Sequence, residues 1–188
     1  MSGGGQSAPL ALTAGDPSGI GPELALAAWR MRAQAGIPPF YLLTDPAFIF
    51  ARARHLGLDI PVRETTPGEA GAVFADALPV VPLASRFTDS PGIPVPGNAT
   101  GIVESIDRAV ADVFCGVAAA LVTCPIAKKP LYDAGFHFPG HTEYLAHLAG
   151  RETGREIMPV MLLAGPELRT VPVTIHIALA EVPASLTA

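Results

Sequence analysis

The chain has little that could crosslink it or chelate a metal: two cysteines, Cys115 and Cys124, and 5 histidines in 188 residues. Two thiols without patterned spacing make neither a disulfide framework nor a zinc cluster, so a reducing cytoplasm is the compartment expected. No apolar run approaches the roughly 20 residues needed to span a bilayer. The first eight residues are small and polar, lack a basic n-region and an apolar h-region, and read as a flexible tail rather than a signal peptide. Positive charge is not in excess. A formal net charge of -5 gives no electrostatic reason to expect nucleic acid or a membrane as partner. Charged residues make up 15% against 49% apolar, which excludes a disordered chain and favours a buried core.

What is present is an alternation of short apolar runs and longer helical patterns. Strands are expected over residues 9–13, 40–44 and 118–123, the last continuous and buried. A weaker strand is expected over 60–63. Another spans 78–82, where two prolines suggest a sheet edge. Helices are expected over 23–35, after Pro22 at a first-turn position, and over 46–56. A third, capped by Thr100 and running to Cys115, carries Ile102, Ile106, Val110 and Val113 as its apolar stripe. A fourth opens after Cys124-Pro125 and closes at Gly135. Near-continuous apolar strands between helices predict a mainly parallel α/β sheet covered on both faces. The loop over 84–99 is long enough to be functional or mobile. The character changes after Gly135, placing a lobe boundary there: residues 9–135 form a first lobe and 136–188 the start of a second. That second part should hold a short helix from Thr142 and a hairpin of strands 159–164 and 171–176. A helix start over 181–187 stops at Ala188, so the second lobe is expected to be incomplete.

Four segments carry chemistry. The turn from Gly15 through Asp16, Pro17, Ser18, Gly19, Ile20 and Gly21 to Pro22 and Glu23 has glycines that admit close backbone approach ahead of a helix N-terminus. It suits an anion or a cofactor edge, or simply a tight strand-to-helix turn; it is neither the dinucleotide fingerprint nor a P-loop. Lys128, after Thr123-Cys124-Pro125, follows the carboxyl end of a strand, where open α/β sheets place ligands. It could hold a phosphate or carboxylate or tune a proton transfer, or be a solvated helix residue like Lys129. Cys124 itself reads as a packed small residue with no base beside it. In Pro139-Gly140-His141-Thr142-Glu143, Thr142 is placed as the N-cap and His141 just outside the helix, where an anionic group would be welcome. His137 and His141 do not share a helical face, and His147 reads as a surface residue. His176, at the end of an apolar strand, could be a metal ligand, a base or an edge residue, but one histidine makes no metal site.

In this order, residues 10–23, 123–128, 133–135, 138–143 and 174–176 resemble the 4-hydroxythreonine-4-phosphate dehydrogenase family of vitamin B6 biosynthesis. The resemblance spans residues 9–188. It implies an isocitrate/isopropylmalate dehydrogenase-like fold of two α/β lobes around a cleft, and a homodimer. It implies oxidation of the C3 hydroxyl of 4-(phosphooxy)-L-threonine by NAD, or NADP in its place, with loss of carbon dioxide to give an aminoketone phosphate. His141 and Thr142 match the family's substrate-binding pair, His176 the first of three histidine ligands of a divalent metal (Zn, Mg or Co), and Lys128 a lysine near the substrate.

The chain departs from the family at Cys124, where Gly or Ala is common, at Ala127, where a polar residue is common, and at Ile175, where Thr is usual. The family's other metal histidines, further phosphate-binding residues and most NAD contacts belong to its C-terminal half, so this chain alone is expected to be inactive. Two other readings stand beside this one: a paralogous dehydrogenase of a related hydroxy acid or cis-dihydrodiol, and a non-catalytic remnant.

Overall fold

Five short strands pair in parallel, in the order β3-β4-β2-β1-β5, in a computed structural model that describes residues 8–174 and 177–186. The strands are β1 (Leu10–Thr13), β2 (Phe40–Thr44), β3 (Val62–Glu64), β4 (Leu78–Pro82) and β5 (Ala120–Val122). The helices between them are α1 (Gly21–Ala35), α2 (Pro46–His55), α3 (Ala70–Val73) and α4 (Ala99–Phe114). Successive side chains on a strand point to opposite faces. Leu12, Phe40, Leu42, Leu78 and Val80 pack with Ala25, Leu26, Trp29, Phe48 and Ile49 of α1 and α2 on one face. Ala11, Tyr41, Leu43 and Val81 pack with Ala70 and Ala109 of α3 and α4 on the other. The continuous apolar strands are therefore two interleaved core faces, as a doubly covered parallel sheet requires.

The prolines of β4 do not mark an edge. β4 is flanked by β3 and β2. Leu78 N–H donates to Pro61 O (2.8 Å) and Thr65 N–H to Val80 O (2.9 Å), so residues 78 and 80 serve β3, while Leu83 N–H donates to Thr44 O (3.2 Å) on the β2 side. Pro79 thus turns its missing donor toward β2 before that pairing starts at Val80, and Pro82 lies past the last β3 pair, Glu64 with Val80. Neither proline deletes a ladder bond. The outer strands are β3 and β5. Contrary to expectation, β5 is an edge strand with Ala120 and Val122 exposed, Val122 by 44%.

Helix α4 starts one residue before Thr100, which sits inside it. Its N-terminus follows a 3-10 turn, Pro96–Asn98, and the buried Asn98 side chain is committed elsewhere: it accepts from Thr88 N (2.8 Å) and donates to Thr88 O (2.9 Å). Ile102, Ile106 and Val110 are buried as the periodicity requires. The 84–99 loop is held at many points. Ala84 and Ser85 N–H donate to Glu104, Arg86 pairs with Asp45 (2.8 Å), and Gly92 N–H donates to Ser18 O (2.8 Å).

Beyond β5, α5 (Lys128–Asp133) and α6 (His141–Thr153) follow, and α6 packs Tyr144 and Leu148 on Ile106 and Val110 of α4. A hairpin exists but is short: β6 (Leu163–Ala164) and β7 (Arg169–Thr170), antiparallel, closed by Gly165 N–H to Leu168 O (2.8 Å). β7 precedes the strand expected over 171–176, of which residues 171–174 are not in a strand and 175–176 lie outside the described residues. The hairpin's residues are exposed, so no burial extends the strands to the lengths expected. A 3-10 turn, Leu179–Glu181, leads into α7 (Val182–Ser185). The tail expected over residues 1–8, apart from Ala8, and Thr187 with Ala188 lie outside the described residues. No helix among the described residues is long and apolar enough to cross a membrane.

Candidate functional site

From β1 the chain leaves by α1 toward β2, while β5 lies on its other side, so strand order reverses between β1 and β5. Open α/β sheets bind ligands beyond the carboxyl ends of strands at such a reversal. Here that position is occupied by the chain itself. Gly15 has φ +66°, and a Cβ placed on it would lie 2.6 Å from Cys124 Cβ and 2.8 Å from Pro125 O. One on Gly21 would meet Cys124 Cβ and Ala14 O, each at 3.0 Å. Asp16 N–H donates to Pro125 O (2.9 Å), and Cys124 N–H to Thr13 Oγ1 (3.1 Å). The glycines serve close crossing of two backbones, and the space an anion or pyrophosphate would need is filled. Cys124 is buried, which pushes its thiol up to about 11, so it is no thiolate nucleophile near neutral pH.

This crossing delivers the next segment outward. Lys128 is the first residue of α5 and exposed. A Cβ on Gly140 would lie 3.9 Å from Lys128 Nζ and 3.5 Å from Glu143 Oε2, which brings the lysine to the start of α6. That helix begins at His141, so His141 stands in its first turn rather than outside it, and its N-cap is Gly140, not Thr142. Gly140 has no side chain with which to cap the helix. The first N–H groups are therefore free for an anion, and the helix dipole favours one there. His141 is half-buried, and its Nε2 is inaccessible with no hydrogen-bond partner among the described residues. Desolvation lowers its pKa, so it is neutral near pH 7.

The sign of that shift fixes a pH effect. The unfolded chain binds the His141 proton at about pH 6.5, the folded chain only at lower pH. Its contribution to stability is present above the unfolded pKa and lost as pH falls toward the folded one. Urea midpoints from pH 8 to 5 should therefore fall less steeply for His141→Asn than for the unaltered chain; equal slopes would contradict it.

Around α6, Phe136, Phe138 and Tyr144 form an aromatic cluster, with the His147 ring tilted against Phe138 at its rim. An apolar cavity of about 370 Å³ lies behind it, lined by Ala99, Val103, Leu131, Phe136 and Tyr144, and it excludes both Lys128 and His141. Ile175 and His176 lie outside the described residues. Among the described residues no three His, Cys, Asp or Glu side chains converge as a metal site would need. The sequence reading missed Arg52. It sits three and four residues from Ile49 and Phe48 on the buried face of α2, and that i, i+3, i+4 register was the available signal.

A family model described as pyridoxal phosphate biosynthetic protein PdxA matches residues 37–188. The chain is 56% identical over 181 residues to a 4-hydroxythreonine-4-phosphate dehydrogenase of Methylorubrum populi, covering 95% of this chain and 52% of that protein. It is 48% identical over 187 residues to one from Bradyrhizobium diazoefficiens, covering 95% and 54%. The crystal structure of the Klebsiella pneumoniae 4-hydroxythreonine-4-phosphate dehydrogenase superposes with a TM-score of 0.75 at 26% identity, over 96% of this chain and 55% of that one. The chain spans about half the length of these relatives. From the crossing at Cys124 to the Gly-His-Thr-Glu start of α6, the candidate site lies within the matched region, and the chain belongs to the pyridoxal phosphate biosynthetic protein PdxA family.

Proposed function

We propose that this chain supplies the substrate-holding residues of an NAD-dependent dehydrogenase, NADP serving in its place in some settings. The enzyme would oxidise 4-(phosphooxy)-L-threonine at C3 and decarboxylate the product to an aminoketone phosphate. The observation that carries the reading is the approach of Lys128 to the uncapped start of α6, beside an unpartnered His141, in a chain of this family. The substrate is an anion with a secondary hydroxyl. Lys128 offsets its negative charge, and the free N–H groups of α6 and the Thr142 hydroxyl donate to its oxygens. His141, neutral through burial, offers the substrate only the ring nitrogen that is not enclosed, Nδ1, and a hydrogen bond there orients the hydroxyl for hydride loss.

In this reading NAD would supply the hydride acceptor and a divalent metal (Zn, Mg or Co) would supply Lewis-acid chemistry when bound. The described residues do not fit the metal by themselves, since they present no converging donor set. A metal held by His176 would draw its other donors from elsewhere. The same reading makes residues 136–188 the start of a second lobe, in an isocitrate/isopropylmalate dehydrogenase-like homodimer of the cytoplasm.

The test joins this chain to the remaining half of the Methylorubrum populi relative and follows NAD reduction with 4-(phosphooxy)-L-threonine. His141→Ala and Lys128→Ala should each lower kcat/KM by about 100-fold or more, as loss of substrate orientation does. A chimera that turns over and is indifferent to both changes would sink the reading.

A further inference from the structure

We propose that Arg52 is a positioning residue: its buried guanidinium fixes the 15–23 turn against the Cys124–Pro125 crossing and so sets where Lys128 is delivered. The step from the crossing to Lys128 rests on the proposed function; the step from Arg52 to the crossing does not.

Arg52 is fully buried, and its guanidinium bonds to three separate segments of the chain. Nη2 donates to Pro17 O in the turn (2.7 Å), Nη1 to Glu23 Oε1 in the first turn of α1 (2.6 Å), and Nε to Asp89 Oδ1 in the 84–99 loop (3.0 Å). Nη2 also reaches Asp89, and the guanidinium lies 5.4 Å over the Phe48 ring. The base of the arginine is fixed by its neighbours Phe48, Ile49 and Ala53, all packed in the core. Three acceptors at fixed angles match a planar fork and do not match the point charge of a lysine. A buried ion cluster is a poor route to stability, since apolar residues of the same volume often do as well. What it supplies here is direction.

The turn it holds is the one that touches the crossing. Asp16 N–H donates to Pro125 O, Cys124 Sγ lies 3.7 Å from Gly21 O, and Gly15 and Gly21 leave no room beside Cys124. Lys128 follows Pro125 by three residues. A turn released at Pro17 and Glu23 is left with the Gly92 N–H to Ser18 O bond and the Asp16 contact itself, a weaker hold on the crossing.

Cys124 reports on the crossing, and the exposed Cys115 is an internal reference. Thiol labelling of the full chain, read residue by residue by mass spectrometry, should be fast at Cys115 and slow at Cys124. Arg52→Met should accelerate Cys124 labelling at least tenfold with Cys115 unchanged, and Arg52→Lys should fall between. Leu148→Ala, which loosens the α4–α6 packing, should leave Cys124 protected. If Arg52→Met does not fold, Asp89→Asn and Arg52→Lys give the same readout. Folded Arg52 variants with Cys124 as protected as in the unaltered chain would overturn the proposal, and so would equal exposure in Leu148→Ala. In the chimera, a released Cys124 with unchanged turnover would overturn the step from the crossing to Lys128 and leave the step from Arg52 to the crossing standing.

Discussion

Gly15→Ala should lower the thermal midpoint by about 4–20 °C. An L-residue pays about 1–2 kcal/mol in the left-handed region, which Gly15 occupies at φ +66°. The added methyl would also meet Cys124 Cβ and the Pro125 carbonyl below 3 Å, and one of these is backbone that cannot rotate away. Overpacking of this kind costs about 1–3 kcal/mol more. The sum, spread over a chain of this size at about 2–4 °C per kcal/mol, gives the range stated. Gly36 provides the comparison: its φ is +61° and a Cβ there meets nothing within 4 Å. Gly36→Ala should therefore show the conformational cost alone. Equal losses at the two positions would mean that the backbones do not cross as closely as described.

Ser105→Ala should be comparably damaging, at about 2–6 kcal/mol in a urea titration. The Ser105 hydroxyl is fully buried and serves two main chains. It accepts from Ala14 N (2.8 Å) at the end of β1 and donates to Leu43 O (3.0 Å) in β2. Removing it orphans a buried donor and a buried acceptor, and each orphan costs about 1–3 kcal/mol. Ser185, which bonds Glu181 O at an exposed position (2.9 Å), makes the same kind of side-chain contact where water can replace it. Ser185→Ala should stay within about 0.5 kcal/mol. A Ser105→Ala loss no larger than that would remove the hydroxyl from the account of how α4 grips the sheet.

The alternation of strands and helices was legible because a doubly covered parallel sheet leaves no polar face on its strands: Phe40–Thr44 is buried at every residue. What misled the reading of β4 was treating proline as an edge signal without asking which neighbour its missing donor faced. β5 looked like a central strand because Ala118 to Val122 are apolar, but apolar composition does not say whether a neighbour is present. The starts of α4 and α6 were misplaced for one reason. Thr100 and Thr142 have the chemistry of caps, whereas the N-cap positions fall to Asn98, whose side chain is drawn away by Thr88, and to Gly140, which has none. The places of Lys128 and His141 at the ends of elements were legible from the sequence. The approach between their segments was not, because it depends on α6 folding back along α4. Arg52 was hidden by its own charge, since an arginine in a helix is ordinarily solvated.

The pairing of β1 with β5 also sets a schedule. Leu10 aligns with Ala120, about 110 residues later in the chain. At synthesis rates of about 5–20 residues per second, the first strand leaves the ribosome on the order of 5–20 s before that partner exists. Until then one side of β1, with the glycine turn above it, has no neighbour to rest on. Contacts so distant along the chain also slow folding after release, because a large loop must close before they form. The turn at Gly15 is made well before the Cys124–Pro125 segment it rests against, so its final position is fixed only once that segment arrives.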